Sequence, residues 1–353
     1  MLQAAGPTPP QNPPIRFSNI IAEFGRANAK GGVSLGEYRV SETFGAMSNL
    51  PLDTGVPQGE ATIRMSNFYS KQLNVVVNYY DGSNMRRATA RNRYNHGGAN
   101  RVQTIGGFRG RPGNTNGTRV IIHVNKRIGS EYDGSRGLKC ALRTGGWEGG
   151  TNLDVNIGGS GAIIGAAGAG GNGGSRNGSQ TNGKRGSSGL GVEYPIDLEN
   201  YGFLAGGGGG GGGGKGERRD KVSRRRSRRR FLWMRRNSRR KKHDRRRAGG
   251  GGGGGGQGFP GGAGGSGGSG TRSGGNGGNG SQGAPGNGGS GGGSGGRGGG
   301  GGGNFGQEGG HGGNPNDTAG GGPGRSIVIS GSGSVNYVVS GTIYGPTFNG
   351  GVF

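Results

Sequence analysis

Apolar and polar positions alternate most clearly between Leu153 and Ile157. There Leu153, Val155 and Ile157 are interleaved with Asp154 and Asn156, the period-two signature of a strand with one buried face. Three earlier runs, LNVVVNYY from Leu73, RVIIHV from Arg119 and LKCALR from Leu138, are β-branched or aromatic in character. Gly- and Asn-rich turns such as DGS and GNTNG separate them. Residues 72–160 are therefore predicted to form a β-rich domain. Beyond Ile157 the apolar positions shrink to islands of one form: GAIIG (Gly161 to Gly165), GFLAG (Gly202 to Gly206) and GTIYG (Gly341 to Gly345). Each island follows a strand-like run, LDVNIGGS, YPIDLENY or SVNYVVS. The repeated unit is a strand, a glycine turn and a short apolar anchor.

Upstream of the strands, residues 1–14 form a proline-rich leader, predicted to be an extended tether. Residues 15–71 contain an internal echo: IRFSNI from Ile15 returns as IRMSNF from Ile63. The pattern predicts two short helical turns, capped by Ser18 and Ser66. A module of this size has little core of its own. Docking on a partner would bury Ile20, Ile21, Phe24, Phe68 and Tyr69.

Composition alters the picture from residue 161 onward. Of 353 residues 99 are glycine and only 26% are hydrophobic, far from the usual globular balance. From Gly262 to Gly301 every third residue is glycine, with Thr271 the one break. That period matches an extended three-residue helix without internal hydrogen bonds. Glycine loses more conformational entropy on ordering than any other residue, so a folded tract needs nearly every backbone group paired. Two readings follow: a bundle of polyglycine-II helices, or a flexible linker. The strand-like return RSIVISGSGSVNYVVSGTIYG after the tract favours the bundle. Whether its helices pack within one chain or between chains is open at this stage.

Charge is concentrated in one place. Lys215 to Arg247 holds 19 of the 44 Lys and Arg but 3 of the 18 acidic residues, and so most of the +26 net charge. Nine glycines precede this basic insert and eight follow it. Four readings stand side by side. Arg224, Arg228, Arg235, Arg239 and Arg245 suit phosphate or acidic-glycan contacts, and Phe231 and Trp233 would stack on bases if the ligand were nucleic acid. The insert is equally readable as a polyanion-binding loop, as a solvated loop, or as glycine codons read out of frame, since GGN runs shifted by one base yield arginine and tryptophan.

Catalytic chemistry is not legible. His96, His123, His243 and His311 are scattered away from metal-ligand spacing, and Cys140 is the single cysteine, expected half-buried on a strand. Neither an enzyme nor a cofactor or metal site is expected. The start of the chain lacks a secretory pattern, and no apolar run reaches membrane-spanning length.

PIRFSNIIAEFG, VSLGEY and VPQGEATIRMSNFYS, in that order, resemble the N-terminal module of bacteriophage tail and virion structural proteins. Arg39 and Gly36 depart from that pattern. NYGFLAGGGGGGGGG, from Asn200, resembles the glycine-rich half of phage tail-fibre adhesins. The resemblance implies a virion protein made in the host cytoplasm and carried in the tail. It implies docking to other tail or baseplate proteins through Ile20, Ile21, Phe24, Tyr38, Phe68 and Tyr69. It also implies binding of a host glycan or outer-membrane receptor, and a homo-oligomer such as a trimer. Host-facing loops would be Arg176 to Leu190, the basic insert and Asn304 to Pro323. The expected fold is mainly β: a small docking module, a β-rich middle and a polyglycine-II bundle over 161–353 that carries insert 215–247. Alternatives are a nucleic-acid-binding protein acting through the insert, and a virion decoration or connector without a receptor role.

Overall fold

The structure, a computed structural model, describes residues 14–24, 34–38, 62–71, 74–79, 89–96, 102–103, 115–130, 139–175, 178–221, 244–313 and 318–350. In chain order the regular elements are α1 (Phe17–Phe24), two 3-10 turns (Leu35–Tyr38 and Met65–Phe68), β1 (Val75–Tyr79), α2 (Ala90–His96), β2 (Val102–Gln103), β3 (Arg119–Val124), β4 (Arg127–Gly129), β5 (Cys140–Arg143), β6 (Asn152–Ile157), β7 (Ala162–Ile164), β8 (Ser188–Val192), β9 (Ile196–Asn200), β10 (Phe203–Ala205), β11 (Glu217–Lys221), β12 (Asp244–Ala248), a 3-10 turn (Gly293–Gly295), β13 (Ile327–Ile329), β14 (Val335–Val339), β15 (Thr342–Tyr344) and β16 (Thr347–Asn349). The described chain is mainly β.

Twelve of these strands repeat in threes. β3, β4 and β5 make a first turn; β6, β7 and β8 a second; β9, β10 and β13 a third; β14, β15 and β16 a fourth. Strands at equivalent places pair in parallel, giving three sheets ordered β14-β9-β6-β3-β1-β2, β15-β10-β7-β4 and β16-β13-β8-β5. The result is a short three-faced parallel solenoid. The three apolar islands of the sequence are β7, β10 and β15 on one face, with Ile163, Leu204 and Ile343 in register. The first copy, RIG in β4, has no leading glycine and was invisible to the pattern. Strands from both sides of residue 160 share all three sheets.

Alternation fixes which side chains fill the interior. Val77, Ile122, Val155 and Leu198 stand in register across four strands and are wholly buried. Ile163, Leu204, Leu190 and Ile327 meet them from the other two faces in one core cluster. Each such side chain stabilises the fold by about 1.5–3 kcal/mol on removal from water. At the first turn α2 lies over the core: the Tyr94 ring meets Trp147 edge-on at 5.3 Å, and Arg91 packs over both rings. Cys140 is buried on β5, more so than the half-buried expectation, and burial pushes its thiol pKa well up. His123 is a buried strand residue on β3, hydrogen-bonded to Asn156 at 3.0 Å, and burial lowers its pKa.

The internal echo of the N-terminal segment is structural. In α1 the backbone N–H of Arg16 donates to Asn19 Oδ1 at 2.9 Å, and before the turn at Met65 the N–H of Arg64 donates to Asn67 Oδ1 at 2.7 Å. The caps are thus the asparagines, not Ser18 and Ser66, which are exposed. The reason is position: an acceptor three residues into the turn reaches back to an orphan N–H.

Two long excursions leave the solenoid at one corner, between β7 and β8 and between β10 and β13. They form ten extended rows: row 1 (165–175), row 2 (180–187), row 3 (206–216), row 4 (249–257), row 5 (260–268), row 6 (272–280), row 7 (284–292), row 8 (296–303), row 9 (307–313) and row 10 (318–326). Hydrogen bonds run between rows with a period of three. In row 3, Gly207, Gly210 and Gly213 donate to row 2; Gly208, Gly211 and Gly214 donate to row 4; Gly209 and Gly212 donate to row 9, all at 2.7–3.0 Å. The same row accepts from rows 1, 8 and 10. Row 4 donates to rows 6, 1 and 8 and accepts from rows 5, 7 and 3. Each glycine run therefore has six neighbours, all from its own chain. On the outer rows the period separates faces: Gly262, Gly265 and Gly268 are buried while Ala263, Ser266 and Ser269 are exposed. Thr271, the break in the sequence period, falls on the link between rows 5 and 6. In row 8 the buried column shifts to Gly300 and Gly303, because the preceding link resets the phase.

Two predictions follow. A Cβ on Gly210 would overlap the carbonyl oxygen of Ala169, whereas one on Gly301 would meet nothing nearer than 3.8 Å. Gly210→Ala is expected to destabilise by about 3 kcal/mol or more and Gly301→Ala by less than about 0.5 kcal/mol, read by denaturant unfolding. The second prediction concerns Asp154, which accepts from Arg119 Nε at 2.6 Å. Burial pushes its pKa up to about 6; Arg119 opposes the rise, and Asp197 and Glu199 add to it. A raised carboxyl pKa means that the folded state takes up the proton first, so its contribution to stability grows as pH falls from 6 toward 3.8. Thermal unfolding at pH 7 and pH 5 should show the wild type gaining on Asp154→Asn at the lower pH.

Candidate functional site

The ten rows run back and forth, so their links lie at two ends. Links 257–260, 280–284 and 303–307 sit at the solenoid end. There Gln257 ties them together: its Nε2 donates to Gln282 O at 2.9 Å, and its Oε1 accepts from Phe305 N at 3.2 Å. The described ends of the other five links, 175–180, 216–249, 268–272, 292–296 and 313–318, gather at the far end. Their common level is set by the bonds Gly174 to Gly214, Gly214 to Gly251, Gly250 to Gly174, Gly292 to Gly249 and Gly213 to Thr181.

Cations mark this far end. Lys215, Arg272 and Arg297 are exposed, and their backbones meet around row 4: Gly249 N donates to Arg272 O, Gly251 N to Arg297 O, and Arg297 N to Lys215 O, at 2.9–3.0 Å. From the same place rises the antiparallel hairpin β11–β12. Its register sets Asp220 opposite Arg245 and Lys221 opposite Asp244, but Arg218 opposite Arg247 and Arg219 opposite Arg246. Gly293 adopts φ +66° on the adjoining link, and a Cβ there would press on Arg272 Cδ.

The family model described as "Phage tail fibre adhesin Gp38" matches residues 86–348, well over half of the chain. The chain belongs to the phage tail fibre adhesin Gp38 family. Among solved structures it is similar to a chain in the "Crystal structure of the gp37-gp38 adhesin tip complex of the bacteriophage S16 long tail fiber", with 22% identity, 83% of this chain and 89% of that chain covered, and a TM-score of 0.43. No curated protein matches it.

In this Gp38-family chain the residues singled out from sequence fall in three places. Arg224, Arg228, Phe231, Trp233, Arg235 and Arg239 lie outside the described residues, on the segment that joins β11 to β12; Arg245 is on β12. Ile20, Tyr38 and Phe68 are wholly buried, and the Tyr38 and Phe68 rings meet edge-on at 5.4 Å. Ile21 and Tyr69 are half-buried, and the Phe24 side chain lies outside the described residues. Of the three loops picked from sequence, Arg176 to Leu190 and Asn304 to Pro323 each contain one far-end link, 175–180 and 313–318. Their remaining parts are rows 2, 9 and 10, each with exposed residues such as Lys184 and His311, together with strand β8 and the solenoid-end link at Asn304. Links 268–272 and 292–296, with Arg272 and Arg297, were missed. The signal was present at one of them: Thr271 and Arg272 interrupt the glycine period where the chain turns.

Proposed function

We propose that the chain is the receptor-binding tip of a phage tail fibre. On this reading the rows are polyglycine-II helices, the solenoid and N-terminal segment serve attachment to the fibre or other tail proteins, and the far-end links touch the host surface. The observation that carries it is that the described ends of five links, including the hairpin β11–β12 at the base of the basic insert, collect at the end of the array away from the solenoid. A row of ten residues at about 3.1 Å per residue would hold them about 30 Å out. A surface so basic suits phosphorylated or acidic outer-surface glycans, with many weak contacts summed across copies of the fibre. Rows 3 and 4 have full sets of neighbours without residues 217–248, which favours a selected loop over a misread glycine tract. Of the docking candidates whose side chains are described, the half-buried Ile21 and Tyr69 keep surface for docking, since Ile20, Tyr38 and Phe68 are buried within the chain. The same saturation of rows 3 and 4 means that the array needs no second copy to be complete.

The test is adsorption of intact particles to the plating host. Replacing residues 222–243 with a short Gly-Ser link, together with Arg272→Ser and Arg297→Ser, should lower adsorption about tenfold or more with unchanged incorporation into particles. Replacing Gly283 and Ala284 by serine at the other end should leave adsorption unaltered. Equal adsorption by all variants would reduce the far end to architecture.

A further inference from the structure

A second concavity lies at the opposite end of the array, where it leaves the solenoid. It is an open hollow of about 750 Å³ built from five separate segments. The corner between β3 and β4 supplies Lys126 and Arg127, both exposed. The corner between β9 and β10 supplies Tyr201, 54% exposed, and then Phe203. Solenoid-end links of the array supply Gln282 and Phe305. The Phe203 ring meets Phe305 edge-on at 5.2 Å and Tyr344 at 5.4 Å, and Tyr344 is itself 50% exposed. Among the described residues no carboxylate pairs with Lys126 or Arg127, and Arg127 stands 6.0 Å from the Phe259 ring.

Large, half-wet aromatics at a rigid corner are not needed by the solenoid, whose core is aliphatic at these levels. The hollow combines aromatic faces, two uncompensated cations, the Gln282 amide and the Ser160 hydroxyl. A pyranose offers matching surfaces: a C–H face attracted to the negative face of an aromatic ring, hydroxyls for the amide, and, in an acidic sugar, an anion for Lys126 and Arg127. The volume suits one or two sugar units. The walls are mostly corners and links; of β4, the edge strand of its sheet, only Arg127 lines the hollow, too little for the backbone ladder with which an extended peptide would be held.

We propose that this hollow is a binding site for an acidic sugar, carrying either a carboxylate or a phosphate, separate from the far-end links. The site does not depend on the far-end reading, and the two fail independently, because one is read by particle adsorption and the other by small-molecule binding. The experiment is ligand-observed NMR on the full chain with four probes: glucuronate, glucose 6-phosphate, glucose and inorganic phosphate. Saturable binding is expected for one or both acidic sugars. Glucose and inorganic phosphate should each bind about tenfold more weakly, each lacking half of the recognition. Glucuronate alone would assign a carboxylate site and glucose 6-phosphate alone a phosphate site. Lys126→Ala with Arg127→Ala, and separately Tyr201→Ala, should each weaken the acidic sugar about tenfold, with an unchanged unfolding temperature verifying the fold. Equal binding of phosphate and acidic sugar would overturn the proposal in favour of a simple anion patch. No binding of either acidic sugar, or binding unchanged in both variants, would overturn it outright.

Discussion

The backbone hydrogen bond between neighbouring glycine rows is the interaction on which the rest of the array depends. Fixing a residue's backbone opposes folding by about 1–2 kcal/mol, and glycine sits at the unfavourable end of that range. A glycine side chain buries nothing, so the compensation has to come from the backbone itself. Rows 3 and 4 achieve it by pointing successive N–H groups to three different neighbours and accepting from three more. Close approach makes this geometry available, and close approach is what a Cβ would forbid. The requirement for glycine therefore comes from the close backbone: a Cβ on Gly207, Gly210 or Gly213 would overlap the carbonyl oxygen of Ala166, Ala169 or Asn172 in row 1.

The solenoid solves the complementary problem. An array of glycine rows has no hydrophobic core and no means of setting its own register. Rows 1 and 3 leave from β7 and β10, which pair in parallel with Ile163 beside Leu204. The first bonds between these rows, from Gly165 to Ala205 and from Gly168 to Gly208, continue that ladder. Rows 2 and 10 return into β8 and β13, again neighbours in one sheet. Aliphatic packing in the solenoid thus fixes four rows, and hydrogen bonds fix the remaining six against them.

Function follows from the separation of these two materials. Because most buried row positions leave no room for a Cβ, and the exceptions are small residues such as Ala166, Ala167, Ser187 and Thr318, variation is concentrated on the outer faces and in the links. The links at the solenoid end are drawn together by Gln257 and by aromatic contacts with the corners. Those at the far end carry Lys215, Arg272 and Arg297, all exposed, and the hairpin β11–β12. Such a design lets the far end change its sequence without disturbing the fold that carries it.

How much of this was written in the sequence depends on the range of the interactions involved. Strands with a period of two, such as Leu153 to Ile157, and the recurring apolar islands were legible, because alternation and glycine turns are local. The three-residue glycine period was legible for the same reason. The alignment of GAIIG, GFLAG and GTIYG on one face, and the fourth copy in β4, belonged to the tertiary structure, since strands as far apart as Phe203 and Thr342 pair only when the solenoid closes. Likewise the sequence marked Lys215 to Arg247 as exceptional but gave no sign that Arg272 and Arg297 join it. That grouping is decided by the back-and-forth course of ten rows, which places every second link at the same end. Hydrophobic and glycine periodicity are properties of neighbours along the chain; which links meet is a property of the register between rows, and only the folded array sets it.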